Sequence, residues 1–290
     1  MRFGLIANLK RIGAVQAIND FIEWANSTNN ELILCSELKG ISQKDITFMN
    51  REEMSSHVDI VVSMGGDGTL LATARSVVST DIPVLGINLG SLGFLTQLPP
   101  SDLIPSLNRI IKGDYKLEKR MLLKTEITNG KKIESPYALN DVVVDNGPVS
   151  RIIKIKLSVN GEDVVTYTAD GLIISTPTGS TAYSLAVGGP IVHPKLEAVT
   201  VAPISSFSLN TRPMILASND SIEIKTHSEH KQSVLTIDGQ VRVTLDNSDI
   251  IRITKSDYDV KLIVFPENSY FALLRSKLHW GLSPLSDDKK

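Results

Sequence analysis

The stretch Val61-Val62-Ser63-Met64-Gly65-Gly66-Asp67-Gly68-Thr69 sets one carboxylate among glycines. Glycine lets a backbone lie close to a ligand and adopt positive φ. An aspartate held there can accept a proton from a hydroxyl. Val58, Ile60, Val61, Val62 and Met64 form a near-continuous apolar run, as in a strand buried on both faces. Leu70, Leu71, Ala74, Val77 and Val78 then recur at helical spacing. The glycines therefore fall in a strand-to-helix turn, where backbone N–H groups and the helix dipole favour an anion. No Gly-Lys-Ser/Thr follows, and the Gly-x-Gly-x-x-Gly spacing is missing. Phosphates bound here are held without a P-loop lysine. The plainer alternative is a tight βα turn with no ligand.

A second segment, Ala169 to Pro194, carries a different chemistry. Leu172 to Ser175 reads as a short apolar strand. Thr176, Thr178, Ser180 and Thr181 then bring hydroxyls together, with Pro177 and Gly179 setting the turn. Tyr183 adds a flat ring beside them. Hydroxyls and N–H groups next to an aromatic suit a base and its sugar. The alternative is a Ser/Thr-rich capping turn over a core tyrosine.

Together these segments resemble the NAD kinase family. The resemblance rests on Gly65-Gly66-Asp67-Gly68-Thr69, Leu139-Asn140-Asp141, Asp170-Gly171 and Thr176 through Pro190, and extends through Arg212-Pro213 to Asp238-Gly239-Gln240. The Thr-Pro-Thr-Gly-Ser-Thr-Ala-Tyr block is the specific part. A Gly-Gly-Asp-Gly block occurs also in diacylglycerol-type lipid kinases and phosphofructokinases. Two departures stand out. Asn140-Asp141 replaces the family's usual Asn-Glu, a carboxylate one methylene shorter. Ser206-Phe207-Ser208-Leu209 stands where Pro-His-Ser/Thr-Leu is frequent, so no histidine serves there.

The resemblance implies transfer of the γ-phosphoryl of ATP to the 2′-hydroxyl of the adenosine ribose of NAD, giving NADP. It assigns the donor phosphates to Gly65, Gly66, Gly68 and Thr69, and the hydroxyl proton to Asp67. Asn140 and Asp141 hold ribose hydroxyls. Thr181, Ala182 and Tyr183 hold the adenosine, Asp170 contacts the nicotinamide end, and Gln240 closes the site. Asp67, Gly68, Thr168, Ser184, Leu185 and Ala186 complete the expected NAD contacts. Arg151 serves the site of a neighbouring subunit in a homo-oligomer, a dimer or tetramer. Mg²⁺ accompanies ATP; no cluster of carboxylates marks a protein cage for it, as expected for magnesium carried mainly by phosphates and water. A lipid kinase would need an apolar groove, against which the polar Thr/Ser/Tyr turn argues. A non-catalytic dinucleotide sensor would not need Asp67.

The bulk numbers exclude other classes. In 290 residues, 30 basic and 32 acidic side chains are mixed, for a net charge of −2. There is no basic tract for nucleic acid and no apolar run of the ~20 residues needed to span a membrane. Met1 to Leu9 reads as a short strand, not a signal peptide. Cys35 is the only cysteine, so no disulfide forms within the chain, and a cytoplasmic location is expected. Among His57, His193, His227, His230 and His279 only His227/His230 has a loose metal-like spacing, in an expected exposed hairpin loop. No metal-ligating residues are expected.

The positioning elements follow in outline. Residues 1–93 alternate strand and helix. Ile12, Val15, Ile18, Ile22 and Ala25 mark a helix. Leu32 to Cys35, Val58 to Met64 and Ile82 to Asn88 read as strands, with Asn88 near Asp67. That alternation implies an α/β N-terminal domain with an open parallel sheet and ligands at the carboxyl ends of its strands. A helix follows over Asp102 to Lys112. From about Leu117 the texture is that of a mostly β C-terminal domain. Ile153 to Val159 alternates strictly into an Asn160-Gly161 turn. Ser221 to Thr226, Ser233 to Ile237, Ile250 to Thr254 and Val260 to Val264 read as further strands. The expected division is 1–100 plus about 265–290 as the α/β domain, and about 101–264 as a β-rich, NAD-binding domain. The return of the chain end to the first domain is implied by the resemblance. The tail from Leu285 is expected to be disordered.

Overall fold

A computed structural model describes residues 1–41, 46–128, 130–147, 151–229 and 233–280. His230 and the tail from Leu285 lie outside them. The chain forms two compact units, Met1–Leu70 with Ile82–Glu118 and Leu262–Lys290, and Leu71–Asp81 with Lys119–Lys261.

The elements run β1 (Arg2–Ala7), α1 (Ala14–Ser27), β2 (Glu31–Cys35), β3 (Thr47–Met49), α2 (Arg51–Met54), β4 (Ile60–Gly65), α3 (Asp67–Ser76), β5 (Val84–Asn88) and α4 (Leu103–Ile111). Then come β6 (Lys116–Ile127), β7 (Tyr137–Ala138), β8 (Asp141–Asp145), β9 (Ile153–Val159), β10 (Glu162–Ala169), β11 (Gly171–Ser175), α5 (Tyr183–Ala186), β12 (Ala198–Ile204) and β13 (Met214–Ala217). The chain finishes with β14 (Ile222–His227), β15 (Ser233–Ile237), β16 (Val241–Leu245), β17 (Ile250–Val264) and α6 (Tyr270–Leu278).

In the first unit every strand pair is parallel. β1 lies between β2 and β4, β5 follows β4, β3 is at one edge, and the end of β17 pairs with β5 through Leu262 and Val84. Every residue of β4 is buried, as its apolar run requires. Phe3, Phe21 and Trp24 meet ring to ring, with Phe3 and Trp24 centroids 5.5 Å apart. Trp24 Nε1 donates to Asn108 Oδ1 at 2.8 Å, tying α4 to α1.

The second unit is almost all β. A six-stranded sheet runs β13-β12-β11-β8-β15-β16, antiparallel throughout. β10, β9, β14 and β17 pair in that order, also antiparallel. Leu172, Ile174, Val142, Val144, Ile155, Leu157, Ile224 and Ile253 are among the residues of one continuous core.

Local details differ from the periodicity in three places. α1 begins only at Ala14, because Gly13 has φ 80°, and Ile12 is 97% exposed. α3 stops at Ser76, yet Val77 and Val78 remain buried in the turn beyond it. Ile250 to Val264 is one strand, with no break between the two expected segments. No helix of the described residues is long and apolar enough to cross a membrane.

Candidate active site

In the first unit the glycine turn leaves β4 and enters α3. Gly65 is buried, Asp67 half-buried and Gly68 exposed. A Cβ on Gly65 would collide with the Thr69 side chain. Leu89 N donates to Gly65 O at 2.7 Å, so the segment after β5 is pinned alongside. Asp67 is the centre of that contact. Its Oδ1 accepts from Leu95 N (3.1 Å), Thr96 N (2.9 Å) and Thr96 Oγ1 (2.9 Å), and its Oδ2 from Phe94 N (2.8 Å). Asn88 holds the same loop, donating to Ser91 O at 2.9 Å and Thr96 Oγ1 at 2.8 Å. Asn88 therefore reaches Asp67 through Thr96. Donors on a carboxylate fix its orientation. The loop 93–96 is a partner that spacing in the sequence did not single out.

In the second unit three motifs are tied together. Asp238 is buried, and its carboxylate accepts from the backbone N–H groups of Leu139 (3.1 Å), Asn140 (2.8 Å) and Asp141 (3.2 Å). Asp238 and Gly239 have φ 49° and 68°, forming the tight turn between β15 and β16. Thr176 Oγ1 donates to Leu139 O at 2.6 Å, and Thr176 N to Asn140 O at 2.9 Å. A Cβ on Gly179 would strike the Asn140 carbonyl. From the end of α3, Arg75 places Nη1 3.5 Å from Asp238 Oδ2 and donates through Nη2 to Gln240 Oε1. Arg75 was not among the expected site residues; its signal is its place two turns beyond Asp67 on the same helix.

Burial sets the electrostatics here. Desolvation, then the neighbouring Asp238 charge, raises the Asp141 carboxyl to about 7. Desolvation also raises Asp238, against the three N–H groups and Arg75 that favour its ionised form.

The hydroxyl cluster divides. Thr176, Thr178 and Ser180 are buried. Ser180 Oγ donates to Pro177 O at 2.6 Å and accepts from Val192 N at 3.0 Å. Thr176 and Ser180 thus serve the local backbone, as in the capping-turn alternative, and Thr178 Oγ1 accepts from Arg120 Nη1 at 3.3 Å. Thr181 and Ala182 are half-buried, and Tyr183 is 46% exposed, so its ring is not a core ring. Ser184 is buried, its hydroxyl covered by Gly189, while Leu185 is half-buried and Ala186 exposed. Thr168 and Arg151 are exposed, and Gln240 stands exposed at its turn.

Tyr183 and Asp170 share the wall of a cavity of about 640 Å³ with Asp145, Asn146 and Arg242. Asn146 Nδ2 donates to Asp170 Oδ1 at 3.3 Å. Partial burial, then Asp145, Asp141 and Asp170, raise the Tyr183 hydroxyl. Asp145, Asn146 and Arg242 lie outside the family-like blocks, and the sheet brings them to this wall. Among the described residues no group of three or more His, Cys, Asp or Glu side chains is arranged to hold a metal ion.

Comparison with known proteins gives the lineage. The model of the ATP-NAD kinase N-terminal domain matches residues 3–115, and that of the ATP-NAD kinase C-terminal domain matches 139–265. The NAD kinase of Citrifermentans bemidjiense is 46% identical over 231 residues, 79% of this chain and 80% of that protein. The NAD kinase of Syntrophotalea carbinolica is 39% identical over 97% of this chain and 99% of its own. A crystal structure of yeast NADH kinase complexed with NADH superposes with a TM-score of 0.87 at 25% identity, covering 98% of this chain and 89% of that one. An NAD kinase from Archaeoglobus fulgidus in complex with ATP gives 0.77 at 25% identity, over 96% and 99%. The chain belongs to the NAD kinase family, phosphotransferases that convert NAD to NADP at the expense of ATP.

Proposed function

We propose that the residues described above divide this reaction as follows. Gly65, Gly66, Gly68 and Thr69 receive the donor phosphates at the start of α3, where the helix dipole favours an anion. Asp67 accepts the proton of the ribose 2′-hydroxyl as O2′ bonds to the γ-phosphorus and the bond from that phosphorus to the bridging oxygen of ADP breaks. The observation that carries this reading is the hydrogen-bonded state of Asp67. Its Oδ1 is filled by three donors, whereas Oδ2 takes a single one among the described residues, leaving a lone pair for the hydroxyl. Phosphoryl transfer asks mainly for positioning and charge stabilisation, and a loop that fixes this carboxylate supplies the first.

In the same reading Asn140 and Asp141 hold ribose hydroxyls, held in turn by Asp238. Thr181, Ala182 and Tyr183 take the adenosine, and Asp170 the nicotinamide end. Gln240 closes the site. Thr168, Ser184, Leu185 and Ala186 shape the same pocket, Ser184 from beneath its surface. NAD and ATP are the substrates, in keeping with the relatives crystallised with NADH and with ATP. Mg²⁺ enters with ATP. Among the described residues no carboxylate cage is built for it, and the phosphates and water supply the hard oxygen ligands that magnesium prefers. When bound, it offsets phosphate charge. The chain works as a homo-oligomer in which exposed Arg151 faces a neighbouring copy's site. A cytoplasmic location accords with its single, buried cysteine.

Asp67→Asn tests the assignment. It keeps the shape and removes the base. The kcat should fall at least ~10²-fold, the low end for loss of a general base. NAD affinity by calorimetry and the melting temperature should change far less. Near wild-type kcat would end the proton-acceptor role.

A further inference from the structure

The glycine turn contains no cation, yet the groups it is proposed to hold carry several negative charges. The charge has to be met from elsewhere. β1, β4 and β5 are adjacent parallel strands, with Ala7 beside Met64 and Gly65 beside Asn88. Their carboxyl ends therefore release three neighbouring loops. Asn8 N donates to Met64 O at 2.9 Å, which ties the first loop to the glycine turn.

That first loop, residues 8–13, is a compact turn. Arg11 N donates to Asn8 O at 3.2 Å, Lys10 N to Asn8 Oδ1 at 3.0 Å, and Ala14 N to Arg11 O at 3.2 Å. The backbone of Arg11 is thus fixed, and its side chain lies across the other two loops. Nη2 is 3.5 Å from the point where a Cβ on Gly66 would stand, and Nη1 is 3.4 Å from the equivalent point on Gly90. Arg11 is exposed, and among the described residues its guanidinium makes no hydrogen bond or ion pair. The nearest carboxylate of the turn, Asp67, already has its four donors from Phe94, Leu95 and Thr96.

We infer that Arg11 is a ligand of the donor phosphates, its guanidinium laid over the Gly66 and Gly90 turns to grip the phosphate chain from the side opposite α3. The inference rests on the assignment of Gly65 to Thr69 as the donor turn. A guanidinium is permanently charged, and its planar fork matches two phosphate oxygens at once. Both glycine turns run within van der Waals reach of it, so a phosphate seated on them would meet the guanidinium. In the reaction Arg11 neither gains nor loses a proton. It offsets the charge spread over the equatorial oxygens of the transferring phosphoryl group and on the departing ADP.

Arg11→Ala and Arg11→Lys, with Gly66→Val alongside, test this. KM for ATP should rise about ten- to a hundredfold in Arg11→Ala, the range of a lost charge-assisted hydrogen bond. KM for NAD should stay within about twofold. Arg11→Lys should recover part of the loss by keeping charge without the fork. Titration of ATP in calorimetry should show the same ranking without turnover. ATP parameters within about twofold of wild type in Arg11→Ala, while Gly66→Val weakens ATP, would remove Arg11 and leave the donor turn standing. No effect of either variant on ATP would overturn the donor-turn assignment as well. Equal loss for ATP and NAD with a clearly lower melting temperature would make Arg11 a loop strut and end the proposal.

Discussion

Three aspartates sit in different surroundings. Asp67 is half-buried and surrounded by donors. Asp238 is buried but satisfied by three backbone N–H groups and Arg75. Asp141 is buried beside Asp238, accepts no hydrogen bond on its side chain among the described residues, and is pushed up to about 7. The shift has a consequence for stability. A carboxyl raised in the folded state binds its proton more tightly there than in the unfolded chain. Its contribution is fullest below the ordinary value of 3.8 and is lost as pH rises toward about 7. Between pH 5 and pH 8 that loss spans about two pKa units, of order 3 kcal/mol. Asp141→Asn removes the titration and the like charge beside Asp238. The variant should gain melting temperature relative to wild type at pH 8 and much less at pH 5. Melts across that window showing a constant difference would contradict the raised carboxyl. The longer glutamate usual in the family would extend this carboxylate one methylene further from the same backbone.

At the scale of elements, α3 and the loop after β5 form one working part. α3 begins at Asp67, and the loop wraps the carboxylate with Phe94, Leu95 and Thr96. Gly93 permits that wrap. Its own N–H donates to Thr96 O at 3.0 Å, and a Cβ there would run into the Asp67 carboxylate and Thr96 Oγ1. Backbone on one side and α3 on the other leave little room to yield. Gly93→Ala should therefore displace Asp67 and lower kcat by at least ~10-fold, since small misplacements of reacting groups are costly. KM for NAD should move less, and a melt should show the fold retained. Unchanged kcat would mean that the loop is free to move away from Asp67. The corresponding part of the second unit is the clamp of Asp238 on residues 139–141, with Thr176 gripping the carbonyls of Leu139 and Asn140 from the other face. Without it, the Asn140-Asp141 segment would carry unsatisfied buried N–H groups.

At the scale of the whole molecule, exposed apolar side chains bear on assembly. Phe207 is 78% and Leu209 92% exposed, in the segment between β12 and β13, and Ile152 stands exposed beside Arg151. β13 is an edge strand of its sheet. Exposed apolar groups beside an open edge are groups that a second copy would cover. Sedimentation or light scattering at micromolar concentration should give a mass of at least two chains. Phe207→Ser with Leu209→Ser should shift that mass downward. A monomer over the whole concentration range would refute the homo-oligomer and the role given to Arg151.

Much of this was legible along the chain. Periodicity located β4, α4 and the β9–β10 hairpin to within a few residues, because each is a local consequence of side-chain spacing and turn chemistry. The glycine turn and the Thr-Pro-Thr-Gly-Ser-Thr block were recognisable because their chemistry is written in neighbouring residues. Burial was harder to read. Ile12 has the residue type of a core position, yet Gly13 starts the helix beyond it and leaves it in water. Three hydroxyls that suit a ligand turn inward: Thr176 and Ser180 donate to the carbonyls of Leu139, Pro177 and Val192, and Thr178 accepts from Arg120. The sequence by itself determined the parts: a buried strand, a glycine turn with one aspartate, a β-rich second half and its motif residues. Only the tertiary structure decided the partners. Asp67 with the loop 94–96, Arg11 over Gly66 and Gly90, and Asp238 under residues 139–141 join segments far apart in the chain. Such pairs exist because strand order brings particular loops to the same sheet edge, and strand order is set by packing of the whole core rather than by any one segment.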